Sequence, residues 1–105
     1  MNRAERMIGL AMKAGRLKSG GSMVEETIRE GKAELVLIAN DASDNTKKRI
    51  CDKCRFYQVP NVLFSDMEHL GKAIGKDARG AVAVTDAGFA KEILKILNAG
   101  NDPEE

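Results

Sequence analysis

The feature that most constrains the fold is an apolar run at residues 35–39, followed at once by the polar residues 40–46. A short run that is apolar at every position is typical of a strand buried on both faces inside an α/β sandwich. The polar residues would then form a loop at the carboxyl end of that strand and lead into a basic helix. Open α/β sheets bind ligands at such an edge, and a helix start beside lysines favours an anionic ligand.

Helix and strand signals alternate along the chain. Helical spacing of apolar residues predicts helices over residues 3–14, 22–31, 44–57, 66–74 and 87–97. Short apolar runs predict strands at residues 16–19, 34–39, 61–64 and 80–84, and we expect the strand at 61–64, like that at 34–39, to be buried. We therefore predict an α/β fold, a three-layer α-β-α sandwich around a small mixed four-stranded sheet with five helices. It would form a single domain over residues 1–100, followed by a frayed acidic tail at residues 101–105.

Composition and charge limit the possible partners. Aromatic residues make up only 4% and tryptophan is absent, which argues against the base-stacking platforms of sheet-faced single-strand binders. The net charge of +1 conceals a basic half, +4 over residues 1–58, and an acidic half, −3 over residues 59–105. This uneven charge distribution fits an anionic partner bound at one local surface better than general attraction of polyanions by net positive charge. An uneven scatter of surface charge with no function would give similar values.

Two cysteines form a Cys-x-x-Cys motif at Cys51 and Cys54. A zinc site needs four ligands, and the single histidine, His69, lies outside the motif. A redox pair is expected at a helix start, whereas this pair falls in the middle of a predicted helix. We expect one core thiol and one partly exposed thiol, with a small-molecule or redox site centred on Cys54 as a remaining hypothesis.

The sequence does not support catalysis or membrane insertion. It has no Ser-His-Asp ordering in a structural context, no metal-ligand cluster and no phosphate loop with a Lys-Ser/Thr ending. We expect no enzyme activity, no cofactor and no metal. The charged first six residues do not fit a signal peptide, and no stretch approaches the ~20 apolar residues of a membrane span. We therefore expect a cytoplasmic monomer that does not bind membranes.

Five segments follow the pattern of a known family: residues 15–31, 35–41, 59–60, 70–75 and 81–86. With these segments the chain resembles the small ribosomal proteins that bind kink-turn RNA, the superfamily of ribosomal proteins L-seven-Ae and L-thirty-e. The similarity is closer to its bacterial YlxQ-type branch and covers residues 3–97. The resemblance implies the same α-β-α sandwich and binding of structured RNA.

The resemblance also assigns site positions. In kink-turn binders the second helix opens with a glycine, then Asn, Glu and, one turn later, Lys; the corresponding residues here are Gly20, Ser22, Met23 and Glu26. The loop after the fourth helix, an apolar wedge in the family, is polar and basic here, at residues 76–80. The resemblance therefore implies RNA contact through backbone amides and basic side chains.

We predict a non-enzymatic RNA-binding protein, associated with the ribosome or translation, that binds ribosomal RNA or another kink-turn-like RNA. The alternative is a protein-interaction module on the same fold, with Met23 and Glu26 in its partner surface. Ser22 and Glu25 also fit a capping box, and the paired glycines before them fit a plain tight turn. Three segments, expected at one end of the sandwich, carry the predicted contacts: the glycine turn (residues 18–23), the polar loop (residues 40–47) and the basic loop (residues 76–80). The predicted RNA-contacting residues are Lys18, Gly20, Gly21, Ser22, Met23, Asn40, Asp41, Lys47, Lys76 and Arg79.

Overall fold

Helices and strands alternate in the computed structural model, which describes residues 2–99. The elements are α1 (Arg3–Lys13), β1 (Leu17–Ser19), α2 (Gly21–Arg29), β2 (Leu35–Ile38), α3 (Asp44–Tyr57), β3 (Asn61–Leu63), α4 (Met67–Ala73), β4 (Ala81–Val84) and α5 (Ala87–Asn98). The predicted order is confirmed, and α3 has the predicted bounds. The tail predicted at residues 101–105 lies outside the described residues. In the part of the chain that is described, no helix is long and apolar enough to cross a membrane.

The four strands form one mixed sheet in the order β1-β4-β2-β3. β4 runs antiparallel to both of its neighbours, and β2 runs parallel to β3. In the register, Ile38 at the end of β2 lies opposite Leu63 at the end of β3 and opposite Ala81 at the start of β4. The carboxyl ends of β1, β2 and β3 therefore lie at one edge, which we call the loop end, together with the start of β4.

Helices cover both faces of the sheet. Every residue of β2 and β4 is buried. α1 packs against α4 and α5, and α2 packs against α3, so the three-layer sandwich is confirmed. Each helix places one fully buried isoleucine or leucine side chain in the core, where complete burial contributes roughly 1.5–3 kcal/mol per side chain. These side chains belong to Ile8, Ile28, Ile50, Leu70 and Ile93.

β3 differs from the prediction of a buried strand. Among the described residues it pairs on one side only, with β2, and its exposed positions are Asn61 and Leu63. The apolar residues of this segment suggested a buried strand, but they do not determine how many neighbours a strand acquires. β3 is therefore an edge strand of three residues, and its shortness limits edge-to-edge association between molecules.

The two cysteines occupy the environments predicted for them. Cys54 is buried and Cys51 is half-buried, and both are free thiols. Burial, with a smaller contribution from nearby Cys51, raises the pKa of the Cys54 thiol to about 11. A thiol held in its protonated form is a poor nucleophile. Within residues 2–99, no group of three or more His, Cys, Asp or Glu side chains is arranged to hold a metal ion.

Candidate nucleic-acid interface

The glycine turn, the polar loop and the basic loop meet at the loop end. The backbone N–H of Ala39 donates a hydrogen bond of 2.9 Å to the carbonyl of Gly80, which joins the end of β2 to the basic loop. On the other side, Nε of Arg79 donates to Oγ of Ser19, at 3.4 Å, which joins the basic loop to the glycine turn. The sheet order explains this meeting, because β4 lies between β1 and β2.

The basic loop lies directly on the backbone of α4. The N–H of Lys76 donates to the carbonyl of Gly71 (2.8 Å), and the N–H of Arg79 donates to the carbonyl of Met67 (3.0 Å). A Cβ atom at Gly71 would overlap the carbonyl group of Asp77. Sequence reasoning placed Gly71 only in a helix, and the structure shows that its missing side chain allows this contact.

Arg79 organises the basic loop as well as giving it charge. Its Nη1 donates to the carbonyl oxygens of Asp77 (3.2 Å) and Ala78 (3.1 Å), in addition to the bond from Nε to Ser19. A guanidinium stays protonated in proteins, so a fixed positive charge lies between the two segments. Ser19 was not among the predicted site residues, because its partner is 60 positions away and no local signal identifies it.

The start of α2 is open. Gly20 is the N-cap, with φ of 96° and ψ of 144°, and no side chain among residues 2–99 caps the first turn with a hydrogen bond. The first helical bond runs from the N–H of Val24 to the carbonyl of Gly20, at 2.9 Å. The amides of Gly21, Ser22 and Met23 therefore come before that bond. Such amides, with the positive end of the helix dipole, form a favourable place for an anion.

The capping box predicted at Ser22 and Glu25 is wrong. The helix begins one residue before Ser22, which is therefore inside the first turn instead of at the cap. The carboxylate of Glu25 binds Nε of Arg49 at 3.0 Å and lies 3.9 Å from Nζ of Lys53, both on α3. These charged partners come from another helix, so the local spacing that suggested a capping box contained no sign of them.

Three predicted lysines lie around the three segments without ion pairs among the described residues: Lys18, Lys47 and Lys76. Lys18 is exposed on the edge strand β1 and lines an open groove of about 520 Å³ along α2, together with Ser22 and Met23. Lys76 is exposed on the basic loop, and Lys47 is half-buried in the first turn of α3. These side chains remain available to an anionic ligand.

Asn40 and Asp41 hold the polar loop in place. The N–H of Asn40 donates to the carbonyl of Ser65 at 2.8 Å, and its side chain is exposed. Oδ1 of Asp41 accepts the N–H of Met67, also at 2.8 Å, at the start of α4. The structure thus gives Asp41 a partner inside the fold, in addition to its place among the predicted contacts.

Comparison with known proteins confirms the resemblance seen in the sequence. The chain belongs to the ribosomal protein L7Ae/L30e/S12e/Gadd45 family, whose model matches residues 2–94. It is 45% identical over 92 residues to the RNA-binding protein YlxQ of Bacillus subtilis, covering 88% of this chain and 92% of the relative. Large ribosomal subunit protein eL8 of Thermoplasma volcanium is 27% identical over 92 residues, covering 87% and 76%. The structure of a protein with unknown function from Bacillus halodurans has a TM-score of 0.90 and 34% identity, covering 93% of this chain and 99% of that one.

Proposed function

We propose that this chain is a non-enzymatic RNA-binding protein that captures a folded, sharply bent RNA of the kink-turn class at its loop end. The observation that carries the proposal is the open start of α2, with the fixed guanidinium of Arg79 beside it. The family supports it too, since the Bacillus subtilis relative is named an RNA-binding protein. The partner would be ribosomal RNA or another structured RNA.

Recognition would depend on the RNA backbone more than on its bases. The amides of Gly21, Ser22 and Met23 would donate to phosphate oxygens or base edges, while Lys76 and Arg79 hold the adjoining backbone. Contacts to phosphate fix the position of a ligand but carry no sequence information. Specificity would therefore come from the bent shape of the RNA, which a rigid surface selects.

The biological setting that we propose is translation. Ribosome association is supported by the similarity to ribosomal protein eL8 and by the family itself. The chain would act as a cytoplasmic monomer, because its proposed contacts all come from one copy of the fold.

The proposal is tested by binding to a standard kink-turn RNA and to a matched plain duplex, from about 50 to 200 mM salt. We expect preference for the kink-turn, with an affinity that falls steeply as salt rises. Equal binding to both RNAs would contradict kink-turn recognition. Binding to neither would contradict the RNA proposal altogether.

A charge reversal locates the site. Lys76→Glu should weaken binding and lower the slope of log affinity against log salt by roughly one, because a phosphate contact is lost. Lys91→Glu, on the exposed face of α5, makes the same charge change away from the three segments and serves as the control. Equal effects of the two variants would show that only net charge matters and that the assigned site is wrong.

A second candidate function is favoured by Met23. This side chain is 48% exposed and lines the groove along α2 beside Glu26. A protein partner with a partly apolar surface would fit this groove. Binding of a protein partner there should tolerate salt and fail in Met23→Asp. Binding at this surface that falls steeply as salt rises would contradict this alternative.

A further inference from the structure

Two aromatic side chains stand on the surface at the end of α3 that lies away from the polar loop. Phe56 is 78% exposed and Tyr57 is 39% exposed. Their ring centroids are 4.9 Å apart and their planes meet at 76°, an edge-to-face pair. Half of the four aromatic residues of the chain are thus concentrated at one exposed place. Because Phe56 is so exposed, its ring contributes little to the core.

The surface around this pair is basic. Phe56 and Tyr57 share a shallow depression with Arg49, Asp52 and Lys53. The exposed cations of this surface outnumber the carboxylates that pair with them. Four cations, Lys48, Arg49, Lys53 and Arg55, share two carboxylates, Glu25 and Asp52.

The same helix connects the aromatic pair to the loop end. α3 begins within the polar loop and ends at Tyr57, and its 14 residues span about 20 Å. Its basic side chains lie between these two points, so a polyanion leaving the loop end along α3 would pass them before reaching Phe56.

We propose that α3 is a second RNA-binding surface, on which an unpaired strand leaving the folded RNA follows the basic residues and stacks a base on Phe56. This inference rests on the proposed function, because the strand is a continuation of the RNA held at the loop end. Exposed aromatic rings beside cations are the combination that binds single-stranded nucleic acid, since every base offers a face for stacking. An acidic protein segment would match the charges but has no need of an aromatic ring that is 78% exposed.

The test compares one kink-turn RNA in two forms, blunt and extended by about eight unpaired nucleotides at either end, long enough to follow α3. We expect at least one extension to raise affinity about fivefold or more, the low end for one base stacked on an aromatic ring. Phe56→Ala should remove this gain and leave the affinity for blunt RNA unchanged. No gain from either extension, or a gain that survives in Phe56→Ala, would overturn the inference.

Two further variants separate stacking from other effects. Phe56→Leu keeps an apolar side chain but lacks the flat ring, so it should lose most of the gain. Leu10→Ala, at another exposed apolar position on a helix, should lose none. Full retention of the gain in Phe56→Leu would contradict stacking.

The chain provides its own probe for this surface. Tyr57 is the only tyrosine and there is no tryptophan, so tyrosine fluorescence reports on the aromatic pair alone. After correction for light absorbed by the RNA bases, the extended RNA should change that fluorescence and the blunt RNA should not. The same change with blunt RNA would show that the signal does not come from a strand on α3, and would contradict the proposal.

The two proposals can fail separately. If the blunt RNA does not bind but a free single strand binds wild type and not Phe56→Ala, the kink-turn proposal fails and the α3 surface stands as an independent strand-binding site. If a Phe56-dependent ligand proves to be an acidic peptide of glutamates, and no single strand binds, the surface belongs to a protein partner and the RNA inference is wrong.

Discussion

The starts of α2 and α3 lie at the same end of the sheet, yet only one of them is closed. At α3, Oγ of Ser43 accepts the N–H of Thr46 at 3.1 Å, and the two hydroxyl groups are 2.9 Å apart. At α2, the capping position is Gly20, which has no side chain to offer. The remaining helices resemble α3, since side chains also cap α1, α4 and α5.

The difference shows how a fold can reserve backbone groups for a ligand. A side-chain cap satisfies amides of the first turn and adds about 1 kcal/mol to stability. α2 lacks that contribution to stability. A relative in the same family is named an RNA-binding protein, so a ligand for the open amides is what the family leads us to expect. In our proposal, the RNA supplies the hydrogen-bond acceptors that these open amides lack within the fold.

The largest expected effect is that of Gly20→Ala. The positive φ of Gly20 is strongly unfavourable for a residue with a Cβ, so unfolding free energy should fall by about 1–3 kcal/mol. RNA affinity should fall as well, because the amides after Gly20 would turn away from their present direction. Chemical denaturation and RNA titration measure the two effects. Unchanged values in both would show that the glycine conformation is not needed for the open start.

Gly21→Ala should separate stability from binding. Nothing lies within 4 Å of a Cβ atom built at Gly21, and its φ is not positive, so alanine should stabilise the helix by about 0.5 kcal/mol. The added methyl group would stand where we place a phosphate, and affinity should fall about tenfold, roughly the loss of one charge-assisted hydrogen bond. Wild-type affinity in this variant would indicate that the paired glycines form only a tight turn.

Ser43→Ala is the matching change at the closed helix start. It should lower the unfolding free energy by about 1 kcal/mol through loss of the cap, and leave RNA affinity at the wild-type value. Thermal or chemical unfolding measures the first effect. A loss of affinity larger than that of Gly21→Ala would reverse the assignment, making α3 the ligand-binding helix start.

The smallest expected effect is a pH dependence of stability at the start of α4, where the capping residue Asp66 and its partner His69 both titrate. At α4, the backbone N–H and then the ring of His69 hold the pKa of Asp66 below its ordinary value. The carboxylate of Asp66 accepts a hydrogen bond from the His69 ring and, with its charge, raises the pKa of His69; Glu5 and Glu68 act in the same direction. The contribution of His69 to the stability of the fold is complete below pH 6.5 and is lost as pH rises through its raised pKa. The contribution of Asp66 to stability is complete above pH 3.8 and is lost as pH falls through its lowered pKa.

Stability should therefore include a small contribution that is greatest between those two pH values. Denaturation of wild type and of His69→Gln, compared from pH 5 to 8, should show the alkaline decrease only in wild type. The start of α2 has no titratable side chain at its cap, and RNA affinity should not follow this transition.

Local signals in the sequence predicted much of the fold. Helical spacing predicted the bounds of α3, and the apolar run of β2 indicated a sheet covered on both faces. The failures involve distant partners. The capping box was wrong because Glu25 binds Arg49, and β3 was predicted as a buried strand although no strand of the described residues pairs with its outer edge.

The same reason limits the prediction of the site. The three segments were expected at one end, and the sheet register brings them there, but the bond between Arg79 and Ser19 and the contact of the basic loop with Gly71 depend on packing. Composition gave a low aromatic content, yet it could not reveal that Phe56 and Tyr57 stand together in solvent.

The position of β4 affects when the molecule can become functional. Among the described residues β1 pairs only with β4, so the pairing of Leu17 with Val84 cannot form until β4 has been made. Contacts so distant along the chain slow folding, because a long loop must close before they form. During synthesis from the amino terminus, the sheet stays incomplete until β4 has emerged. A chain that stops before β4 thus has no assembled loop end, and the proposed capture of RNA is restricted to chains that include it.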